Sequence, residues 1–174
     1  MNYFKITNND IANGEGLRVT LWLSGCNHHC KGCQNPQTWD VDNGIPFNNV
    51  SEIKLFEALD KEYISGITFS GGDPLHANNL AGVSNLINKF RNLFPAKSIW
   101  IYSGYTWEEI WTPRIYNTEA SLRQDIIKQS DVFVDGRYIE NLKNITLKWR
   151  GSSNQRVIDV QQSLKDNQIK LHTN

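Results

Sequence analysis

All three cysteines of this 174-residue chain stand within one stretch, Cys26-Asn27-His28-His29-Cys30-Lys31-Gly32-Cys33. Thiols at that density on one short loop point to metal chemistry before anything else. Iron–sulfur clusters usually take four thiolates, and a structural zinc ion is likewise closed by four protein ligands. Three thiolates can hold three irons of a four-iron cubane and leave the fourth iron open to a small molecule. A closed zinc site would instead recruit His28, His29, His76 or His172. A dithiol exchange pair at Cys30 and Cys33 would leave Cys26 without a role, and such a motif should open a helix beside a βαβ unit. Three separate buried thiols would act as small hydrophobes; His28, His29 and Lys31 make this loop too polar for that reading.

The chain around the loop alternates strands and helices. Arg18–Ser24 reads as a strand, with Val19, Leu21 and Leu23 alternating against Thr20, Trp22 and Ser24. The cysteine loop follows it directly, at the edge where α/β proteins place their chemistry. Residues 49–62 read as a helix capped at Asn49, with Ile53, Phe56 and Leu59 on one face. Gly66–Ser70 is a short strand ending in Gly71-Gly72-Asp73-Pro74. Residues 79–94 carry apolar side chains at helical spacing, and Pro95 stops them. Ser98–Ser103 is a third strand, and Thr106-Trp107-Glu108-Glu109 is a capping box opening a helix.

Further on, residues 118–129 read as a helix and 131–135 as a fourth strand. Thr146–Trp149 reads as an edge strand, 155–160 as the last strand and 160–167 as a short helix. Residues 1–17 read as irregular and the polar tail from Lys170 as frayed. The expectation is one domain over 1–174, its core spanning about 14–167, with a mostly parallel α/β sheet.

Composition removes several classes of function. Lys plus Arg and Asp plus Glu are 18 each, so no basic footprint for nucleic acid is expected. The N-terminus lacks the pattern of a signal peptide, and no run is long and apolar enough to span a membrane. An odd cysteine count gathered in one cluster is not a secreted disulfide framework. These features predict a cytoplasmic protein with no nucleic-acid or membrane partner.

The Cys-x3-Cys-x2-Cys spacing, entered through Gly14–Gly25 and left through Asn35-Pro36-Gln37-Thr38-Trp39-Asp40, resembles the radical S-adenosylmethionine (SAM) enzymes. It is most similar to their glycyl-radical-enzyme activase branch. The resemblance implies a partial, open (β/α) barrel and a [4Fe–4S] cluster on Cys26, Cys30 and Cys33, with SAM on the open iron. It implies reductive cleavage of SAM to a 5′-deoxyadenosyl radical, which takes Hα from a glycine of a partner protein. It also implies a low-potential electron donor such as reduced flavodoxin.

Such loops often carry an aromatic residue where this chain has Gly32, so adenine contact is expected from the backbone of Gly32, Cys33 and Gln34. Gly71-Gly72-Asp73-Pro74 is in itself a turn signal, but after a strand it resembles the SAM motif. Gly72 would allow close backbone approach, and Asp73 would accept from the SAM ammonium group. Ser103 is expected near the ribose or carboxylate, and Asp135 ranks below it. Val134-Asp135-Gly136, together with Trp149-Arg150-Gly151-Ser152-Ser153-Asn154-Gln155-Arg156, narrows the resemblance to activating proteins of anaerobic ribonucleoside-triphosphate reductases. The large subunit of such a reductase would then be the protein substrate. Activases of other glycyl-radical enzymes, such as pyruvate formate-lyase, share the flanks of the cysteine loop. A SAM-dependent methyltransferase would leave the cysteines idle.

Overall fold

A computed structural model describes residues 1–173. Its eight strands form one open sheet in the order β3-β1-β2-β4-β5-β6-β7-β8. The centre is built as the patterning predicts. β2 (Arg18–Leu23), β4 (Gly66–Gly71), β5 (Ser98–Tyr102) and β6 (Val132–Asp135) pair in parallel. The helices α1 (Asn49–Leu59), α2 (Ala77–Leu93) and α4 (Thr118–Lys128) lie in the crossovers that parallel neighbours require.

The expectation of a mostly parallel sheet does not hold, because four of the seven pairings are antiparallel. On one side, β1 (Asn2–Asp10) pairs with β2 and with β3 (Ile45–Pro46). Periodicity misses β1 because its register shifts twice, between Tyr3 and Lys5 and between Thr7 and Asp10, which breaks the alternation. On the other side, the chain leaves β6, loops over the same sheet edge and re-enters as β7 (Arg156–Asp159), which must then run backwards. After α5 (Val160–Asp166), β8 (Lys170–Leu171) pairs with β7, so Lys170 and Leu171 are held where fraying was expected. Thr146–Trp149 is not a strand. Asn144 Oδ1 accepts from Thr146 N at 2.9 Å, and Trp149 sits at φ +58°, both incompatible with an extended run.

Smaller differences follow from capping. Asn48, not Asn49, caps α1 by accepting from Ser51 N, and the buried face carries Leu55 and Leu59 while Ile53 is exposed. The capping box of α3 (Trp107–Trp111) is present, with both reciprocal bonds between Thr106 and Glu109.

The two faces of the sheet differ chemically. Val19, Leu21, Leu23, Ile67, Phe69, Ile99, Ile101 and Phe133 pack with the apolar faces of the helices into one core. The opposite face is partly polar, and its centre is Arg18, fully buried. The guanidinium donates to Thr68 Oγ1 and Ser98 Oγ, both at 2.8 Å, and to the carbonyls of Glu15, Ile67 and Ser98. It also lies over the Trp100 ring at 5.3 Å. Burial lowers its pKa to about 10, which leaves it charged at neutral pH. With helices on one face and this polar face on the other, the carboxyl edge of the parallel strands opens into a cleft.

Candidate metal centre and cleft

The cysteine loop leaves β2 and is stitched down at its base by backbone hydrogen bonds, with Asn79 Nδ2 donating to Ser24 O and Asp73 O, both at 2.9 Å. Gly25 N donates to Thr38 O (2.8 Å), Cys26 N to Trp39 O (2.9 Å) and Asp73 N to Gly25 O (2.7 Å). Gly72 is packed into the same seam. A Cβ there would lie 2.5 Å from Gly25 O and 2.8 Å from Thr38 O, both backbone atoms that cannot step aside. The diglycine therefore lets the chain approach itself, and its backbone also faces the cleft.

That cleft has a volume of about 430 Å³, and Cys26, Cys30 and Cys33 all line it. Cys26 is buried, and the other two are half-buried. Burial pushes the Cys26 thiol up to about 11, with the nearby Asp73 charge adding to it, and burial likewise raises Cys30. In the metal-free protein Cys26 and Cys30 are therefore protonated at neutral pH. Bound cations reverse that preference, since coordinating thiols lose their protons.

The donor set fits a cluster better than a single ion. Among the described residues, no three His, Cys, Asp or Glu side chains gather at single-ion distance. Of the four histidines considered for a zinc site, His28 is bonded to Asp73 and His76 caps α2, while His29 packs against Trp39 and His172 against Trp100 and Trp149. A cubane spreads its thiolates over separate irons, so three thiols around a cleft suit it without converging on one point.

The other residues singled out from the sequence divide. Gln34, Gly72 and Ser103 line the cleft with the cysteines. Gly32 does not, and a Cβ on it would meet the Glu140 carboxylate at 2.9 Å. Asp73 lies behind the cleft wall, about 1% exposed. Its Oδ1 accepts from Leu75 N and Ser103 Oγ, both at 2.8 Å; its Oδ2 accepts from Gly104 N (3.0 Å) and faces His28 Nε2 (2.8 Å). Asp135 is also used within the protein, accepting from Trp107 N and Arg156.

Part of the Arg150–Arg156 run lines the same cleft as the cysteines. Trp149, Arg150, Gly151 and Gln155 line the cleft there. Gln155 holds the wall together. Its Nε2 donates to Gly136 O (2.9 Å), and its Oε1 accepts from Gly151 N (3.0 Å) and Ser152 N (3.1 Å). Trp22 and Tyr102 line the inner part and carried no local signal beyond strand patterning.

A family model described as a 4Fe-4S single cluster domain matches residues 12–158. Several proteins named anaerobic ribonucleoside-triphosphate reductase-activating protein are similar over most of the chain. The one from Enterobacteria phage T4 is 41% identical over 157 residues, which is 90% of this chain and 93% of that protein. The one from Escherichia coli (strain K12) is 39% identical over 159 residues, covering 90% and 97%. The one from Pasteurella multocida is 37% identical over 157 residues, covering 89% and 95%.

Proposed function

Because the chain belongs to the 4Fe-4S single cluster domain family and to the anaerobic ribonucleoside-triphosphate reductase-activating proteins, we propose that it activates such a reductase as a radical SAM enzyme. The observation that carries this is one cleft lined by all three cysteines and by Gly71 and Gly72, at the carboxyl edge of parallel strands. Held by Cys26, Cys30 and Cys33, the cluster would supply the electron that cleaves SAM to methionine and a 5′-deoxyadenosyl radical, and that radical would take Hα from a glycine of the reductase's large subunit and leave the radical there.

The chain's own residues hold and orient. Cys26, Cys30 and Cys33 provide the thiolates. Gly72 offers only backbone to the ligand, with the Asp73 carboxylate directly behind it, so Asp73 acts on the ammonium group through its charge. The backbone of Cys33 and Gln34 serves the adenine side, and Ser103 stands at the β5 end of the same cleft. The wall from Trp149 to Gln155 excludes water from the radical. No general acid or base is required for hydrogen-atom transfer. The four parallel strands act as a partial, open barrel whose open side admits a protein segment, in a single domain working in the cytoplasm. A reduced flavodoxin or similar carrier supplies the electron. No helix of the described residues is long and apolar enough to cross a membrane.

The test is anaerobic reconstitution with iron and sulfide, reduction by dithionite, addition of SAM and assay for 5′-deoxyadenosine. The parent should produce it, and Cys26→Ala, Cys30→Ala and Cys33→Ala should not. Adding the reductase should yield a glycyl-radical signal. Zinc bound in place of a cluster, with no SAM cleavage, would return the loop to a structural metal site.

A further inference from the structure

We propose that His28 is a positioning residue: through Asp73 it ties the cysteine loop to the ends of β4 and β5, and so sets how that loop meets SAM. The proposal rests on the reading of the cleft as a SAM site and deepens it. Within the loop, Asn27, His29, Lys31 and Gly32 are exposed. His28 alone among the loop's non-cysteine side chains turns inward, with 8% of its side chain exposed.

Its Nε2 lies 2.8 Å from Asp73 Oδ2. That oxygen also accepts from Gly104 N, and Ser103 Oγ lies 3.0 Å from it. A carboxylate only accepts, so Nε2 carries the proton in this contact. The ring also sits edge-on against Tyr105 at 4.9 Å, and the Arg123 guanidinium lies over the same Tyr105 ring at 4.8 Å.

One carboxylate thus binds the cysteine loop, the diglycine turn and the β5 end together. Gly104 is part of the device: a Cβ there would lie 2.6 Å from His28 Nε2, so only glycine leaves the ring its place. Partners that orient metal-binding loops typically matter at the level of tenfold or more.

Two substitutions separate the hydrogen bond from the packing. His28→Phe keeps a ring against Tyr105 without the bond, and His28→Gln restores a donor. In the reconstituted protein, His28→Phe should weaken SAM binding by about tenfold and reduce the change that SAM produces in the cluster's EPR spectrum, while His28→Gln recovers most of both. In the metal-free protein, His28→Phe should speed alkylation of the buried Cys26 thiol, and His28→Gln should return it toward the parent rate.

Gly104→Ala should reproduce the His28→Phe defects by pushing the ring away. It should add little to His28→Ala, where no ring remains to push; that non-additivity marks a shared contact. Gly104→Ala also carries the test should His28→Phe fail to fold. Parental SAM affinity and EPR response in His28→Phe, or no recovery in His28→Gln, would overturn the proposal while the SAM reading stands. A parent protein that assembles no cluster or binds no SAM would remove both.

Discussion

In the proposed cluster site, a cysteine must be buried enough to exclude water and still able to lose its proton. Cys26 shows the conflict most clearly, since burial lifts its thiol from 9.0 to about 11. A thiol with a raised folded-state pKa stabilises the metal-free fold below pH 9, and that contribution is lost as pH rises toward 11, because the unfolded chain releases the proton first. Urea midpoints of the metal-free protein should therefore fall across that window more steeply for the parent than for Cys26→Ala. Parallel curves would show that the thiol is not buried as described. Cysteine spacing made these three residues legible in the sequence. The role of His28 was not legible, because its partner Asp73 lies 45 positions away and no local pattern reports a contact of that range.

The short helix α3 is tied to the sheet through side chains. Arg156, on β7, donates to Asp135 at the end of β6 and to both oxygens of Glu108. The Arg156 hydrogen bonds hold the Glu108 carboxyl down at about 2. A depressed carboxylate stabilises the fold above its ordinary pKa of 4.5, and that contribution fades as pH falls toward 2. Glu108 is 57% exposed at its side chain, so solvent screening keeps the effect well under about 1 kcal/mol. Between pH 5 and pH 3 the parent should lose slightly more stability than Glu108→Gln, read as the difference in urea midpoints. An equal loss would mean that the pair does not persist in solution. The capping box at Thr106 was readable because it is local. The salt bridges behind it were not, since Arg156 meets Asp135 and Glu108 across 21 and 48 positions of sequence.

Across the whole molecule, the sheet's polar face is organised around one buried cation, Arg18. Arg18→Met keeps most of the volume but removes the donor from two hydroxyls and three carbonyls, and should destabilise the metal-free protein by about 3 kcal/mol or more. Chemical denaturation measures this, and a cost below about 1 kcal/mol would mean that water replaces the guanidinium without strain. The sequence by itself determined the parallel centre, because strand and helix periods and their terminators are local, and it determined the cysteine loop, because thiol spacing is chemistry written in a few residues. Only the tertiary structure decided the rest. The outer strands β1, β3 and β8, and the antiparallel course of β7, are set by pairing with other strands rather than by their own alternation. Asp73 became the shared anchor of three segments, and part of the Arg150–Arg156 run came to line the cleft. Each of these depends on contacts between residues remote in sequence, which close only when the whole sheet has formed.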